Sequence, residues 1–138
     1  MRKCLMVLVV AVMAAIGFAA PAQATVNAVD MPFGMAYGNS TTTGEIHFTD
    51  GYTASVSGTV HAASGARRIC AYGVNGSTTS GLICSPYAYA GGPNTTLTGP
   101  LNIAKPGGVV RVYITMYDEN NSGLARLYCT RSGCTREY

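Results

Sequence analysis

The feature that most constrains this chain is a pair of short apolar runs, each carrying one cysteine, on either side of a polar turn. The runs are Ile69-Cys70-Ala71-Tyr72 and Leu82-Ile83-Cys84-Ser85-Pro86, and residues 73–81 between them are rich in Gly, Asn, Ser and Thr. Two such runs around a turn predict a β-hairpin. A Cys70–Cys84 bridge between its arms would stabilise the fold by about 3 kcal/mol through loop-closure entropy. We therefore expect the domain to be built around a covalently tied hairpin.

The first 24 residues have the pattern of a secretory signal peptide. Arg2 and Lys3 precede an apolar run over residues 5–20, and Pro21-Ala22-Gln23-Ala24 supplies a small-residue cleavage site. A retained transmembrane helix is the alternative. The sequence predicts cleavage of residues 1–24, one domain over residues 25–138, a secreted extracellular location and no membrane attachment after cleavage.

Four cysteines follow the predicted signal peptide, and their number indicates two disulfides in an exported chain. They are Cys70, Cys84, Cys129 and Cys134. Three pairings are possible, and we favour the neighbouring pairs, Cys70–Cys84 and Cys129–Cys134. A zinc site would need close Cys-x-x-Cys pairs or nearby histidines, which these spacings do not provide. We therefore expect no metal and no cofactor.

Short alternating runs separated by Gly, Asn and Pro predict an all-β domain. In residues 52–62 every second side chain is small or apolar, and residues 109–117 alternate most regularly, with Val110 among the side chains expected to face inward. Turns are predicted at residues 41–44 and at Asp50-Gly51.

Three further elements complete this prediction of the strands. Residues 82–90 form the second hairpin arm, residues 95–103 a strand broken or bent at Gly99-Pro100, and residues 124–130 the last strand. Seven or eight antiparallel strands at roughly ten-residue spacing are typical of an immunoglobulin-like β-sandwich. A small closed β-barrel is the main alternative.

Three segments resemble the neocarzinostatin family, the secreted apoproteins that carry enediyne chromophores. Asp50-Gly51 with Val56-Ser57-Gly58 is similar to the second strand of that family. The two cysteine arms described above resemble its tied hairpin, and Cys129-Thr130-Arg131-Ser132-Gly133-Cys134 has the spacing of its second disulfide. The segments occur in the family's order, although the hairpin loop is longer here. The resemblance implies an immunoglobulin-like sandwich with two local disulfides, and a carrier of small molecules.

No motif in the sequence predicts catalysis. His47 and His61 fall on predicted polar faces, no Gly-x-Ser-x-Gly elbow is present, and a Ser-His-Asp set would have to use Asp50 with one of many serines. No spacing places two carboxylates across a cleft, and no phosphate-binding loop opens a helix. Beyond Arg67-Arg68 there is no basic run, which argues against nucleic-acid binding. We predict that the protein is not an enzyme.

The tyrosines are the strongest indication of function. All nine lie after residue 24, the chain has no tryptophan, and Tyr with Ser, Gly and Asn is the composition of adaptable binding surfaces. Five of them are predicted to form a recognition face: Tyr72, Tyr87, Tyr89, Tyr113 and Tyr117. The alternative is that these rings pack as cross-strand pairs.

The sequence therefore predicts a non-catalytic binding module for a small apolar molecule, a glycan or an extracellular protein. The alternative is an inhibitor of an extracellular hydrolase. Such an inhibitor would present a disulfide-tied loop, either residues 130–133 or the hairpin tip at residues 75–80, whose preorganisation lowers the entropic cost of binding.

Overall fold

The computed structural model describes residues 27–49 and 51–138, which form strands, turns and loops. The predicted signal peptide and Asp50, half of the predicted Asp50-Gly51 turn, lie outside these residues. Within the described ranges, no helix is long and apolar enough to cross a membrane.

The described residues form eleven strands, eight of which have four or more residues. In chain order they are β1 Val29–Tyr37, β2 Ser40–Phe48, β3 Thr53–His61, β4 Ala66–Asn75, β5 Thr78–Thr79, β6 Ile83–Cys84, β7 Ala88–Tyr89, β8 Thr95–Asn102, β9 Arg111–Tyr117, β10 Gly123–Thr130 and β11 Gly133–Arg136. The first sheet has the order β1-β2-β3-β8. The second has the order β11-β10-β9-β4, with β5, β6 and β7 along the outer edge of β4. The paired strands are antiparallel and neither sheet closes on itself, so the predicted β-sandwich is confirmed and the barrel alternative is wrong.

The core lies between the two sheets and follows from period-two alternation. On β3 the inward set is Ala54, Val56, Gly58 and Val60, as predicted. The largest fully buried side chains come from both sheets and from the loop after β8: Phe48, Ile46, Ile69, Leu97, Leu101, Ile103, Ile114, Met116, Val56, Val60, Val109 and Val112. Each such side chain contributes about 1.5–3 kcal/mol by leaving water.

One core position requires glycine because two strands and a ring meet there. Gly44 on β2 lies opposite Gly58 on β3, and the Phe33 ring of β1 covers both. A Cβ on Gly44 would lie 2.2 Å from the Ser57 carbonyl oxygen and 2.5 Å from Cζ of Phe33. The close approach lets the Phe33 ring fill the space above the pair.

Two predictions about the first sheet were wrong. Residues 41–44 lie inside β2 because the chain reverses earlier, at Gly38-Asn39, where Gly38 has a φ of 57°. Strand β8 continues through Gly99-Pro100 without a break. It is an edge strand, where a proline is tolerated because its missing N–H can face away from the sheet.

Three predictions about the second sheet were also wrong. Residues 82–90 do not form one continuous arm, because they pair with β4 only through the two-residue strands β6 and β7. Val110 is 49% exposed, since β9 begins one residue later. The strand over residues 124–130 is not the last one, because the chain after Thr130 forms β11, which pairs with β10 over four positions.

The predicted disulfide pairing is confirmed. Cys70–Cys84 joins β4 to β6, and Cys129–Cys134 joins β10 to β11. Two disulfides fit an extracellular protein, where thiols are oxidised.

Candidate binding face

Three tyrosines lie side by side on the outer face of the second sheet. Tyr72 of β4 pairs with Tyr113 of β9, which pairs with Tyr128 of β10. The rings of Tyr72 and Tyr113 are stacked, with centroids 5.2 Å apart and planes 16° apart. The ring of Tyr128 lies 5.7 Å from that of Tyr113, tilted by 53°. These three half-buried residues are called the tyrosine row.

Two arginines pack on this row, and each stacks on one ring while hydrogen bonding to another. The Arg126 guanidinium lies 4.4 Å from the Tyr113 centroid and donates to the Tyr72 hydroxyl. The Arg111 guanidinium lies 4.3 Å from the Tyr128 centroid and donates to the Tyr113 hydroxyl over 3.0 Å. Such cation–π contacts fix a long side chain in one orientation. The hydrogen bond to Tyr113 raises the pKa of Arg111 above its usual value. The row and its two arginines are called the Tyr–Arg face.

The sequence produces this arrangement through a repeated Arg-x-Tyr motif. Arg111-Val112-Tyr113 lies on β9 and Arg126-Leu127-Tyr128 on β10, and in each motif the arginine and tyrosine share the outer face of the strand. The strands are antiparallel and the two tyrosines are in register. The two arginines therefore lie on opposite sides of the tyrosine row. Arg126 also pairs with Glu137, at 3.1 Å between Nε and Oε2.

A second group of aromatic residues lies further along the same sheet. The Arg68 guanidinium is 4.9 Å from the Tyr87 centroid, and both side chains donate to Oδ1 of Asn121. Tyr89 packs against Tyr87 at 6.4 Å and is 63% exposed. Tyr117 is half-buried and pairs with Arg68 across β9 and β4.

The five predicted tyrosines are thus divided between two groups. Tyr72 and Tyr113 belong to the Tyr–Arg face. Tyr87 and Tyr117 lie beside Arg68, and Tyr89 joins that second group by packing against Tyr87. Between the groups lie Thr115 and the Cys70–Cys84 bridge. The prediction missed Tyr128, Arg111 and Arg126, although the repeated Arg-x-Tyr motif would have indicated all three.

The outer face of the first sheet has a different character. Its charged carboxylates among the described residues are Asp30 and Glu45. It carries hydroxyls in neighbouring rows, and these include Thr41, Thr43, Thr53, Ser55, Ser57, Thr59, Thr96 and Thr98. The positive charge on the sandwich faces therefore concentrates on the second sheet, where Arg68, Arg111 and Arg126 lie.

Register places Asp30, His47 and Ser55 next to one another on β1, β2 and β3. Asp30 hydrogen bonds to Nδ1 of His47, but no hydrogen bond joins His47 to Ser55 in the described chain. The side chains of His47 and Asp30 are 46% and 59% exposed. A hydrolytic triad needs a shielded site with hydrogen-bond donors aimed at the oxyanion, and this flat row offers no such enclosure. Asp50, which a Ser-His-Asp set would have to use, lies outside the described residues.

The two loops predicted for an inhibitor are partly tied to the body of the protein. In residues 130–133, Arg131 donates to the Thr49 carbonyl over 2.8 Å and stacks on the Phe48 ring at 5.2 Å. At the hairpin, Asn75 donates to the carbonyls of Pro106 and Gly108. In both loops, a polar side chain that could contact an enzyme is therefore already bonded to other parts of the protein.

A shallow depression of about 330 Å³ lies beside the loop that follows β8. Its lining is mainly apolar and includes Tyr52, Thr53, Asn102, Ile103, Ala104, Lys105 and Pro106. None of the predicted site tyrosines lines it. Its volume is at the lower end of the range for small-molecule sites.

Comparisons with known proteins assign no family. No protein-family model, no curated protein and no solved structure matches this chain. Over residues 27–49 and 51–138, no three or more His, Cys, Asp or Glu side chains are grouped as metal ligands would be. Function must therefore be inferred from the chemistry of the chain's own surfaces.

Proposed function

We propose that this protein is secreted and binds a partner through the Tyr–Arg face without transforming it. The observation that carries the proposal is the tyrosine row with a stacked arginine on each side. Tyrosine and arginine are among the side chains most enriched at the residues that carry most of the binding energy of an interface. Because rings and guanidinium groups are already held by one another, little further side-chain entropy is lost on binding.

The alternative is that the rings only stabilise the sheet. Cross-strand aromatic pairs contribute about 0.2–1 kcal/mol each, so some stabilisation is expected. However, the first sheet of the same chain covers its outer face with small hydroxyl residues such as Thr43, Ser57 and Thr59. A solvent-facing sheet in this protein thus does not require large rings or arginines. Their concentration on the second sheet supports recognition.

Export and the absence of catalysis are parts of the same proposal. The predicted signal peptide and the two disulfides support export. The open Asp30–His47 pair, with no bonded serine in the described chain, supports a role without catalysis. The resemblance to the neocarzinostatin family, which includes the Cys70–Cys84 hairpin beside the Tyr–Arg face, agrees with a carrier or binding role.

Two other functions have weaker support. A hydrolase inhibitor would have to release Arg131 or Asn75 from the contacts that hold them. A small apolar ligand in the depression beside Tyr52 is favoured by the apolar lining, but that site lacks the convergent polar groups that orient most ligands.

The test is native mass spectrometry of protein purified from its own culture medium. We expect the wild type to carry a bound molecule or partner. An Arg111→Gln/Arg126→Gln variant should carry it with at least tenfold lower occupancy. Arg136→Gln is the matched control, because this exposed arginine of β11 instead donates to the Ala36 carbonyl of the first sheet. A wild type that is bare, or a double variant that is fully loaded, would contradict the proposal.

A further inference from the structure

The Tyr–Arg face presents hydrogen-bond donors in excess of acceptors. A guanidinium has five N–H donors and no acceptor. The hydroxyl oxygens of Tyr72 and Tyr113 already accept from Arg126 and Arg111, so each keeps its own hydrogen to donate. The Tyr128 hydroxyl has no hydrogen-bond partner among the described residues. A ligand rich in oxygen acceptors fits such a surface.

The charges on this face favour an anionic acceptor. Arg111 and Arg126 lie on either side of the row, and Glu137 is the carboxylate paired with one of them. Bonds between a guanidinium and a carboxylate are about twice as strong as bonds between neutral groups. Anionic oxygen groups of the ligand, such as carboxylates, therefore match the free donors.

The ring faces themselves are largely used within the face. The Tyr113 ring has two rings and two guanidinium groups around it, at 5.2, 5.7, 4.4 and 5.8 Å. Binding of single-stranded nucleic acid depends on bases that stack on free aromatic faces. The Tyr–Arg face is poorly suited to that mode, and it is better suited to a ligand that reaches hydroxyl and N–H groups.

The half-exposed position of the arginines favours a polymer over a single small anion. An ion pair at a solvated surface contributes only about 0–1 kcal/mol. Tight binding therefore needs several contacts made by one molecule. Once the first contact forms, the others become intramolecular, and the overall affinity rises. The row crosses three neighbouring strands about 4.8 Å apart, which is close to the length of one pyranose unit.

We infer that the Tyr–Arg face binds a linear polysaccharide that carries carboxylates, with the polymer lying along the tyrosine row between Arg111 and Arg126. In a ribbon-like polyuronate, successive carboxylates point to opposite sides of the chain. One carboxylate then meets Arg111 and the next meets Arg126, while the tyrosine hydroxyls bond to ring and hydroxyl oxygens. A polyuronate is also stiffer than an acidic polypeptide and loses less conformational entropy on binding. This inference rests on the proposed function and adds the chemical class of its ligand.

The test is calorimetric titration of the full protein with polymannuronate at low and high salt. We expect binding that weakens as salt is added, because the contacts are charged and solvated. Arg111→Gln and Arg126→Gln should each weaken binding by up to about fivefold, because each removes one solvated ion pair. Tyr128→Phe, which keeps the ring and removes its donor, should weaken it several-fold. Arg136→Gln should have no effect, and the methyl ester of the same polymer should bind at least tenfold more weakly.

Four results would overturn the inference. They are no binding of polymannuronate by the wild type, equal binding of its methyl ester, tighter binding of polyglutamate or single-stranded DNA, or full affinity in both arginine variants. The outcome also separates this inference from the proposed function. One outcome is that the arginine variants lose the ligand found in the culture medium while the wild type does not bind polymannuronate. In that case the inferred ligand class is wrong, but the proposed binding face is still supported. If the variants lose neither ligand, both proposals fail.

Discussion

Removal of the Cys70–Cys84 bridge should lower the free energy of unfolding by about 3 kcal/mol and should loosen one segment before the rest of the domain unfolds. The change is Cys70→Ala with Cys84→Ala. Alanine is chosen because Cys70 is buried, and a serine there would add a buried hydroxyl without a partner. The matched control is Cys129→Ala with Cys134→Ala.

The magnitude follows from the length of chain that each bridge closes. The first bridge spans 14 residues and the second spans 5. From loop-closure entropy, the first bridge should stabilise the fold by about 3 kcal/mol and the second by about 2 kcal/mol. Because domains of this size are stable by about 5–15 kcal/mol, both variants should still fold.

The structure adds a local effect that loop length does not predict. The second bridge lies within the β10–β11 ladder, which has four registered pairs and holds its ends together without the disulfide. By contrast, β5, β6 and β7 each contribute two residues to β4. Loss of the first bridge should therefore free residues 76–87 locally, whereas loss of the second should not loosen β11 to the same extent.

The assay is urea denaturation of the wild type and both double variants, with hydrogen exchange measured by mass spectrometry under native conditions. We expect the larger loss of stability in the Cys70/Cys84 variant, together with at least tenfold faster exchange at residues 78–85. Equal losses in the two variants, or unchanged exchange over that segment, would refute this account of what the bridge does.

Three further variants test other contacts in urea denaturation. Gly44→Ala should lower the free energy of unfolding by about 1–3 kcal/mol, since its Cβ would lie 2.2 Å from a backbone oxygen. The control, Gly81→Ala, has open space around it and should change stability by less than about 0.5 kcal/mol. Equal effects of the two changes would contradict the close approach of β2 and β3. Arg131→Ala should lower the free energy of unfolding by about 1–2 kcal/mol, because it removes the hydrogen bond to the Thr49 carbonyl and the stack on the buried Phe48 ring. Unchanged stability would mean that these contacts are not formed in solution. Glu119→Gln should lower the free energy of unfolding by about 1 kcal/mol, because Oε2 of Glu119 lies 3.7 Å from Nη1 of the buried Arg67. Unchanged stability at low salt would contradict that pairing.

Much of the fold was predictable because it depends on local patterns. The alternation on β3 gave the correct inward face, and the even number of cysteines indicated two bridges, for which the favoured pairing of neighbours is confirmed. Strand ends were less predictable, since they depend on partners. Residues 41–44 have a turn-like composition, yet pairing with both β1 and β3 holds them in an extended conformation.

The candidate face was predicted only in part, for a similar reason. Tyr72 and Tyr113 were expected on a recognition surface, and stacking brings them together. The repeated Arg-x-Tyr motif indicates Tyr128 as a candidate, but the local sequence does not show that it lies beside Tyr113 or that Tyr87 lies with Arg68 instead. Which residues meet across a sheet depends on the order and register of strands far apart in the chain.

The sequence by itself determined the all-β class and the alternating faces, because each depends on residues close together in the chain. The even number of cysteines indicated two bridges but left three pairings possible. The tertiary structure alone decided that Arg111 and Arg126 lie on opposite sides of one tyrosine row. The reason is geometric: two identical Arg-x-Tyr motifs give opposite placements only when their strands are antiparallel and their tyrosines are in register. That register is set by the packing of the whole sandwich, which no single segment specifies.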